Sequence, residues 1–151
     1  MIILDTKKEY ENHINILKSK GEIISLVPTM GNLHDGHLSL VKIAKKNSSK
    51  VITTIFINPL QFGKNEDFAS YPRTISQDIR KLKKINCDVL FAPKNKNEVF
   101  INNDKLNNLK AGPKGKILCG KIRPGHFDGV LKVVYILFQL SQPNLSVFGL
   151  K

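Results

Sequence analysis

The stretch Leu26-Val27-Pro28-Thr29-Met30-Gly31-Asn32-Leu33-His34-Asp35-Gly36-His37 lies at the centre of the predicted fold. The apolar run 23–27 leads into it, and a segment with helical periodicity follows it. A strand, a glycine-containing turn and a helix in this order direct backbone N–H groups towards a phosphate. The side chains of His34 and His37, three residues apart, fall on one face of the first helical turn. The stretch therefore predicts a nucleotide-binding and adenylate-transfer site.

The composition is that of an ordinary globular protein. The 151 residues, 41% of them hydrophobic and 24% charged, are enough for one domain with a real core. No apolar run approaches the roughly 20 residues that a membrane-spanning helix needs. The N-terminus turns polar too early for a signal peptide, so we expect a cytoplasmic protein without a membrane partner. Cys87 and Cys119 form no redox or metal motif and are expected to be free thiols.

The charge is strongly positive. Lys and Arg total 24 and Asp and Glu total 12, which gives a net charge of +12 and favours polyanions. The basic residues are scattered along helix-like segments, they are not interleaved with stacking aromatics, and there is no Trp. Solvated lysine faces are therefore favoured over a nucleic-acid surface.

Strand and helix patterns alternate along the chain. Strands are predicted at 23–27 (ended by Pro28), 51–57, 88–92, 117–119 and 145–148, and helices at 6–20, 38–47, 74–85 and 130–140. Residues 94–116 are rich in Asn and Lys and predict a loop-rich connection. This alternation predicts an α/β domain with a doubly wound, Rossmann-like, mainly parallel sheet flanked by helices. Ligands bind beyond the carboxyl ends of such strands, where the polar clusters are expected to converge.

The residues from His34 to His37 suit phosphate chemistry. Gly36 removes a side chain where a phosphate must approach, and the helix N-terminus supplies partial positive charge. Each imidazole can donate a hydrogen bond to a phosphate oxygen and stabilise the charge that develops when an α-phosphate is attacked. Two alternatives stay open on these residues alone. They could simply cap the helix, or they could be a metal-binding pair, although two ligands rarely hold zinc and no further Cys or His is close in the sequence.

Further polar clusters follow strands or precede helices. Amides suit a ligand with hydroxyl and carboxylate groups, and cations suit an anion. Each cluster taken alone is better explained as a polar turn or a solvated surface residue. The clusters are Asn58 with Gln61, Tyr71, Arg123 with His126, and Lys151 after Gly149.

Taken together, the motifs resemble the pantothenate synthetase (pantoate–β-alanine ligase) family, which belongs to the nucleotidyltransferase superfamily marked by His-x-Gly-His. The matching segments are in register along essentially the whole chain: 27–37, 56–62, 71–74, 123–130 and 147–151. The resemblance implies an ATP-dependent ligase. Pantoate would attack the α-phosphate of ATP to give pantoyl adenylate and pyrophosphate, and β-alanine would then displace AMP. It also implies Mg²⁺ accompanying ATP, no metal held by the protein itself, and a homodimer.

The resemblance also implies a role for individual residues. His34 and His37 would bind the phosphates as catalytic residues, with His37 as the proton donor. Gln61 would hold pantoate and later β-alanine, supported by Asn58, Tyr71, Arg123 and His126. The ATP site would comprise Met30, Gly31, Asn32, Leu33, His34, Asp35, Gly36 and His37, together with Gly149, Leu150 and Lys151.

One departure from the family pattern concerns the last residues. The family reads Gly-Glu-Lys-Asp where this chain has Gly149-Leu150-Lys151. Residues 1–151 would thus be a truncated N-terminal nucleotide-binding domain, with a sheet incomplete at its C-terminus and without a C-terminal lid domain. Such a chain is expected to be a poor catalyst alone, since losing one transition-state donor costs roughly a hundredfold to a thousandfold. Two rival functions remain: another His-x-Gly-His nucleotidyltransferase, or a non-catalytic basic remnant.

Overall fold

The computed structural model describes residues 1–63, 66, 68–100, 106 and 108–150. Its strands are β1 (Ile2–Leu4), β2 (Ile24–Thr29), β3 (Lys50–Ile55), β4 (Val89–Phe91) and β5 (Leu145–Ser146). Its helices are α1 (Lys7–Ser19), α2 (Asp35–Asn47), α3 (Ile75–Lys84), α4 (Cys119–Ile122) and α5 (His126–Ser141). Short 3₁₀ turns occupy Pro59–Gln61, Lys96–Glu98 and Pro113–Lys116.

The five strands form one sheet in the order β1-β4-β3-β2-β5, and every strand pair is parallel. The chain moves from β2 outwards through β3 and β4, and then returns to place β5 on the other side of β2. This reversal makes the gap between β2 and β5 a topological switch point. The predicted doubly wound, parallel α/β fold is confirmed.

Helices cover both faces of the sheet. On one face, α1 and α5 pack against alternate strand residues, and on the other face α2 and α3 pack against the intervening ones. The two faces are clear in β2, where Leu26 belongs to the first core and Val27 to the second. Burial on both sides explains why β3 is an almost continuous β-branched run. The buried stripe of α1, namely Tyr10, Ile14 and Leu17, is also as the sequence predicts.

The prediction that Pro28 ends the strand is wrong on the side of β2 that pairs with β3, where pairing continues to Thr29. Pro28 is paired in register with Thr54 of β3. The carbonyls of Ile24 and Leu26 accept hydrogen bonds from Asn144 and Val147, so alternate residues of β2 face β5. Pro28 faces the same way, two residues beyond the last paired position. A residue without an N–H is tolerated there because no ladder bond to β5 is lost.

Two other expectations are corrected. Ile2–Leu4 forms a strand that the sequence pattern does not predict, and the strand after Pro143, Leu145–Ser146, is shorter than predicted. The strand predicted at 117–119 is wrong. Ile117 follows a 3₁₀ turn, Leu118 has a positive φ of 49°, and Cys119 begins α4. The apolar residues there are exposed, by 58% at Ile117 and 83% at Leu118, so no sheet covers them.

Candidate functional site

The His34–His37 segment lies at the switch point of the sheet. It follows β2, while residues 147–150 follow β5, so both segments leave the carboxyl edge on either side of the gap. This is the place where open parallel sheets bind their ligands.

The two histidines form a reciprocal capping box at the start of α2. Nδ1 of His34 accepts a hydrogen bond from the N–H of Gly36 at 3.1 Å, and Nδ1 of His37 accepts one from the N–H of His34 at 3.4 Å. The imidazole rings lie side by side, with centroids 4.1 Å apart. The capping alternative from the sequence is thus present in the structure, and it fixes the orientation of both rings.

Capping also fixes the tautomers. A nitrogen that accepts from a backbone N–H carries no proton, so the neutral ring holds its proton on Nε2. Both histidines therefore offer Nε2–H donors. Burial and the neighbouring His34 lower the pKa of His37 from its ordinary value, and the Asp78 carboxylate partly offsets this. At neutral pH His37 acts as an uncharged hydrogen-bond donor.

Asp78 anchors the turn before the histidines. Its carboxylate is fully buried and accepts hydrogen bonds from the N–H of Asn32 at 3.0 Å and of Leu33 at 2.8 Å. The Thr74 hydroxyl donates a third at 3.0 Å. A Cβ at Gly31, where φ is +81°, would lie 3.2 Å from the same carboxylate. The turn is therefore held tightly against α3.

This anchoring reduces the number of backbone N–H groups that are free to bind a phosphate. The N–H groups of Asn32 and Leu33 are taken by Asp78, and that of Gly31 is taken by the Thr29 hydroxyl. The capping box engages the first turn of α2 itself, and within the described ranges the N–H of Asp35 is left without an acceptor. The donors open to a ligand are thus this backbone N–H group and the two imidazoles, clustered on the first turn of α2.

Gln61 lies in the 3₁₀ turn after β3 and is buried. Its side-chain amide donates to Sδ of Met30 at 2.6 Å, which joins this turn to the segment after β2. Asn58 is also buried, and its amide donates to Oε1 of Gln61 at 3.1 Å and to the carbonyl of Gly129 at 2.9 Å. Asn58 accepts from the N–H of Leu60 at 3.0 Å. The Asn58 side chain thus makes three hydrogen bonds and the Gln61 side chain two, so Gln61 keeps more bonding capacity for a ligand.

His126 begins α5 and Arg123 caps the end of α4, and both lie beside the same turn. Nδ1 of His126 is 2.8 Å from the carbonyl of Gln61, and Nε2 is 3.3 Å from Nη1 of Arg123. Arg123 also forms a two-point ion pair with Glu66, with Nε to Oε1 at 2.7 Å. The hydrogen bonds of this ion pair lower the pKa of Glu66 and raise that of Arg123.

The remaining predicted residues are less engaged. Tyr71 packs edge-on against Phe62, with ring centroids 5.6 Å apart, and burial raises the pKa of its phenol. Gly149 and Leu150 are exposed beyond β5. Lys151 lies outside the described residues, as does any contact that it makes.

A separate cleft of about 700 Å³ opens beyond β3 and β4. Met30 and Gly31 line one wall of it, but the two histidines do not. Its other walls include Phe56, Arg73 and Lys96. The structure therefore unites Met30 with Gln61, and His34 with His37, rather than enclosing all the predicted residues in one pocket.

Two residues that contribute to the site were missed from the sequence. Asp78 has a recognisable pattern, since it lies four residues before Leu82 on one face of α3, and these two are the buried residues of that helix. An acidic residue at a buried helical position needs a partner, so this pattern predicts that Asp78 is hydrogen-bonded. Glu66 has no such pattern, because its partner Arg123 is 57 residues away in the chain.

Metal clusters and membrane spans are both lacking in the part of the chain that the structure describes. No group of three or more His, Cys, Asp or Glu side chains there is placed to hold a metal ion. None of the helices in the described ranges is long and apolar enough to cross a membrane.

Comparison with known proteins gives one consistent family. The family model described as pantoate-beta-alanine ligase matches residues 2–151. The pantothenate synthetase of Thermoanaerobacter sp. (strain X514) is 47% identical over 151 residues, covering 100% of this chain and 53% of the relative. That of Acinetobacter baylyi is 47% identical over 138 residues, covering 91% and 49%. The chain thus spans about half the length of the curated relatives it matches.

Solved structures agree with this result. The pantothenate synthetase of Thermus thermophilus superposes with a TM-score of 0.86 at 38% identity, over 97% of this chain and 51% of that one. The pantoate-beta-alanine ligase of Francisella tularensis, complexed with beta-gamma ATP and beta-alanine, gives 0.81 at 40% identity, over 96% and 55%. The chain therefore belongs to the pantoate–beta-alanine ligase family.

Proposed function

We propose that residues 1–151 form the nucleotide-binding domain of an enzyme that uses ATP to join pantoate to β-alanine. The observation that carries this proposal is the histidine capping box at the switch point, which fixes two Nε2–H donors beside the open N–H of Asp35. Fixed donors of this kind stabilise the charge that develops on a phosphate under attack. Residues 30–37 and 149–151 would contact ATP, and of the latter Gly149 and Leu150 follow β5 on the other side of the switch point.

The proposed chemistry has two steps. A carboxylate oxygen of pantoate attacks the α-phosphorus of ATP, and pyrophosphate leaves as the P–O bond to it breaks. The amine of β-alanine then attacks the acyl carbon of pantoyl adenylate, and AMP leaves. His34 and His37 would donate hydrogen bonds to the phosphate oxygens. The lowered pKa of His37 favours this role over that of a cationic acid.

Gln61 would orient the acid substrate. It lies beside Met30, so a ligand held by its amide would lie close to the segment that leads to the histidines. Asn58, Arg123 and His126 would support it, and Tyr71 would line the same region. An amide can donate to a carboxylate and accept from a hydroxyl or an ammonium group, as successive binding of pantoate and β-alanine requires.

ATP as co-substrate is supported by the Francisella relative, which was crystallised with an ATP compound and β-alanine. Mg²⁺ is proposed only as an ion that arrives with the nucleotide. Mg²⁺ is usually held by substrate phosphates, waters and one or two carboxylates. The described residues do not form a cage for it, because the Asp78 carboxylate already accepts two backbone N–H groups and a hydroxyl.

A homodimer in the cytoplasm is the proposed state of the enzyme. Ile117, Leu118 and Ile122 expose 58%, 83% and 83% of their surface around α4, and an interface would cover such an apolar set. Light scattering of this chain and of Leu118→Ser is the measurement. The dimer is expected to weaken in the variant, and a monomeric wild-type chain would contradict the proposal.

The function is tested with three substrates and two variants. ATP binding is measured by calorimetry, and AMP formation is measured with pantoate and β-alanine added singly and together. His37→Gln keeps a side chain that can complete the capping box but removes the imidazole. It should lower turnover more than ATP affinity, whereas His13→Gln in α1 serves as the control. Absence of ATP binding, or AMP formation that does not need pantoate, would refute the proposal. The same assay with other hydroxy acids in place of pantoate tests the rival function, because a different adenylyl transferase would prefer one of them.

A further inference from the structure

The side chains of Glu66, Arg123 and His126 form a continuous chain of hydrogen bonds that ends on the backbone of Gln61. Arg123 binds both carboxylate oxygens of Glu66, and its Nη1 reaches Nε2 of His126 at 3.3 Å. The other ring nitrogen of His126 lies 2.8 Å from the carbonyl of Gln61. Three residues from two distant parts of the sequence thus meet at one turn.

The donor and acceptor roles along this chain follow from elementary chemistry. A carbonyl oxygen only accepts, so Nδ1 of His126 carries the proton and donates to Gln61. Nε2 then presents a lone pair, which accepts from the guanidinium of Arg123. Every contact in the chain is therefore complementary when His126 is neutral.

The same turn is held from its other side. Asn58 binds Oε1 of Gln61 and the carbonyl of Gly129 with its amide group. Gly129 lies against the turn so closely that a Cβ there would be 2.2 Å from the carbonyl oxygen of Leu60. The backbone and the side chain of Gln61 are thus both fixed relative to α5.

We propose that Glu66, Arg123 and His126 are positioning residues that set Gln61 for its ligand and do not themselves contact a substrate. Three of the five N–H donors of Arg123 are directed at Glu66 and His126, and the carboxylate of Glu66 matches its charge. A substrate anion would have to compete with that carboxylate for the charge of the guanidinium. This inference rests on the proposed function in so far as the ligand of Gln61 is pantoate or β-alanine.

The test compares variants of the full chain in two measurements. Glu66→Gln removes the carboxylate charge and keeps the shape of the side chain. His126→Ala removes the hydrogen bond to the carbonyl of Gln61. His126→Asn restores an N–H donor near the position of Nδ1 and is the rescue variant. Glu22→Gln, which removes an ion pair with Lys50, is the matched control. The measurements are the ¹H–¹⁵N resonances of the Gln61 backbone and side-chain amides, and calorimetric titration with pantoate and with ATP.

We expect the Gln61 resonances to move in Glu66→Gln and His126→Ala, to return towards wild type in His126→Asn, and to stay in place in the control. Pantoate affinity should fall by about tenfold or more, as for a lost hydrogen bond to a charged group, with ATP affinity within about twofold. Unmoved Gln61 resonances would overturn the inference, as would parallel losses of pantoate and ATP affinity. Failure of the wild-type chain to bind pantoate would instead refute the proposed function, and the resonances would still decide the positioning role.

Discussion

Replacing Asp78 is the sharpest test of how α3 controls the histidine segment. In the folded chain its buried carboxylate accepts the N–H groups of Asn32 and Leu33 and the hydroxyl of Thr74. Asp78→Asn keeps the size of the side chain but replaces one acceptor oxygen with an NH₂ group. Asp78→Ala removes all three hydrogen bonds.

The structure sets the expected magnitudes. A hydrogen bond to a charged group contributes about 1.5–3 kcal/mol, and an unpaired buried N–H costs about 1–3 kcal/mol. In Asp78→Asn one backbone N–H faces the new NH₂ group, so we expect a loss of about 2 kcal/mol in the free energy of unfolding. In Asp78→Ala the buried N–H of Leu33 is also orphaned, and the expected loss is about 4 kcal/mol.

Urea unfolding followed by circular dichroism at pH 7 measures both losses. Asp35→Asn is the control, because Asp35 is an exposed acidic residue in the first turn of α2. Its effect should stay within about 0.5 kcal/mol. NMR titration should also show the His37 pKa falling further in both Asp78 variants, since the carboxylate raises it. An Asp78→Asn protein as stable as the control, with an unchanged His37 pKa, would refute the anchoring role.

Three further predictions concern single positions. The folded-state pKa of His37 lies below its ordinary 6.5, so the stability that neutral His37 contributes is present above pH 6.5 and is lost as the pH falls through the folded value. Between pH 7.5 and 5 the urea midpoint should therefore fall less steeply with pH in His37→Gln than in the wild type. Equal pH dependence of the two midpoints would contradict this. The buried Thr54 hydroxyl has no partner among the described residues, so Thr54→Val should raise the free energy of unfolding by about 1 kcal/mol, whereas Thr53→Val, which breaks a hydrogen bond to a thiol, should not. Gly129→Ala drives a Cβ into the backbone of the 3₁₀ turn. It should lower the free energy of unfolding by about 2 kcal/mol and the melting temperature by several degrees. Gly63→Ala, whose Cβ would make ordinary contacts only, is the control, and equal melting temperatures of the two variants would contradict the prediction.

The sequence predicted those elements whose pattern is long enough to be periodic. The buried stripe of α1 and the β-branched run of β3 are examples, and their alternation sufficed for the fold class. β1 was missed because three residues carry too little periodicity, and it exists through pairing with β4, far along the chain. The strand predicted at 117–119 is wrong because the residue types are typical of a strand, whereas Ile117 and Leu118 are exposed and belong to no strand.

The candidate site was predictable only in part. The histidine pair and Gln61 follow strands at positions that the fold brings to its carboxyl edge, and the sequence motif identified them. The contacts that orient these residues come from elsewhere. Asp78 reaches the histidine segment across 45 residues of sequence, and Glu66 reaches Arg123 across 57. Local patterns do not encode such pairings, which depend on how the helices dock on the sheet.

Pro28 has a consequence for how the sheet can respond to a ligand. If β5 continued to pair beyond Ser146, the carbonyl of Val147 would need a donor at residue 28, and proline has none. Pairing of β2 and β5 past Leu26 would therefore leave the carbonyl of Val147 without its ladder hydrogen bond. The missing N–H of Pro28 therefore favours separated strand ends, independently of how side chains pack around them. A nucleotide that binds there would not have to break hydrogen bonds between β2 and β5.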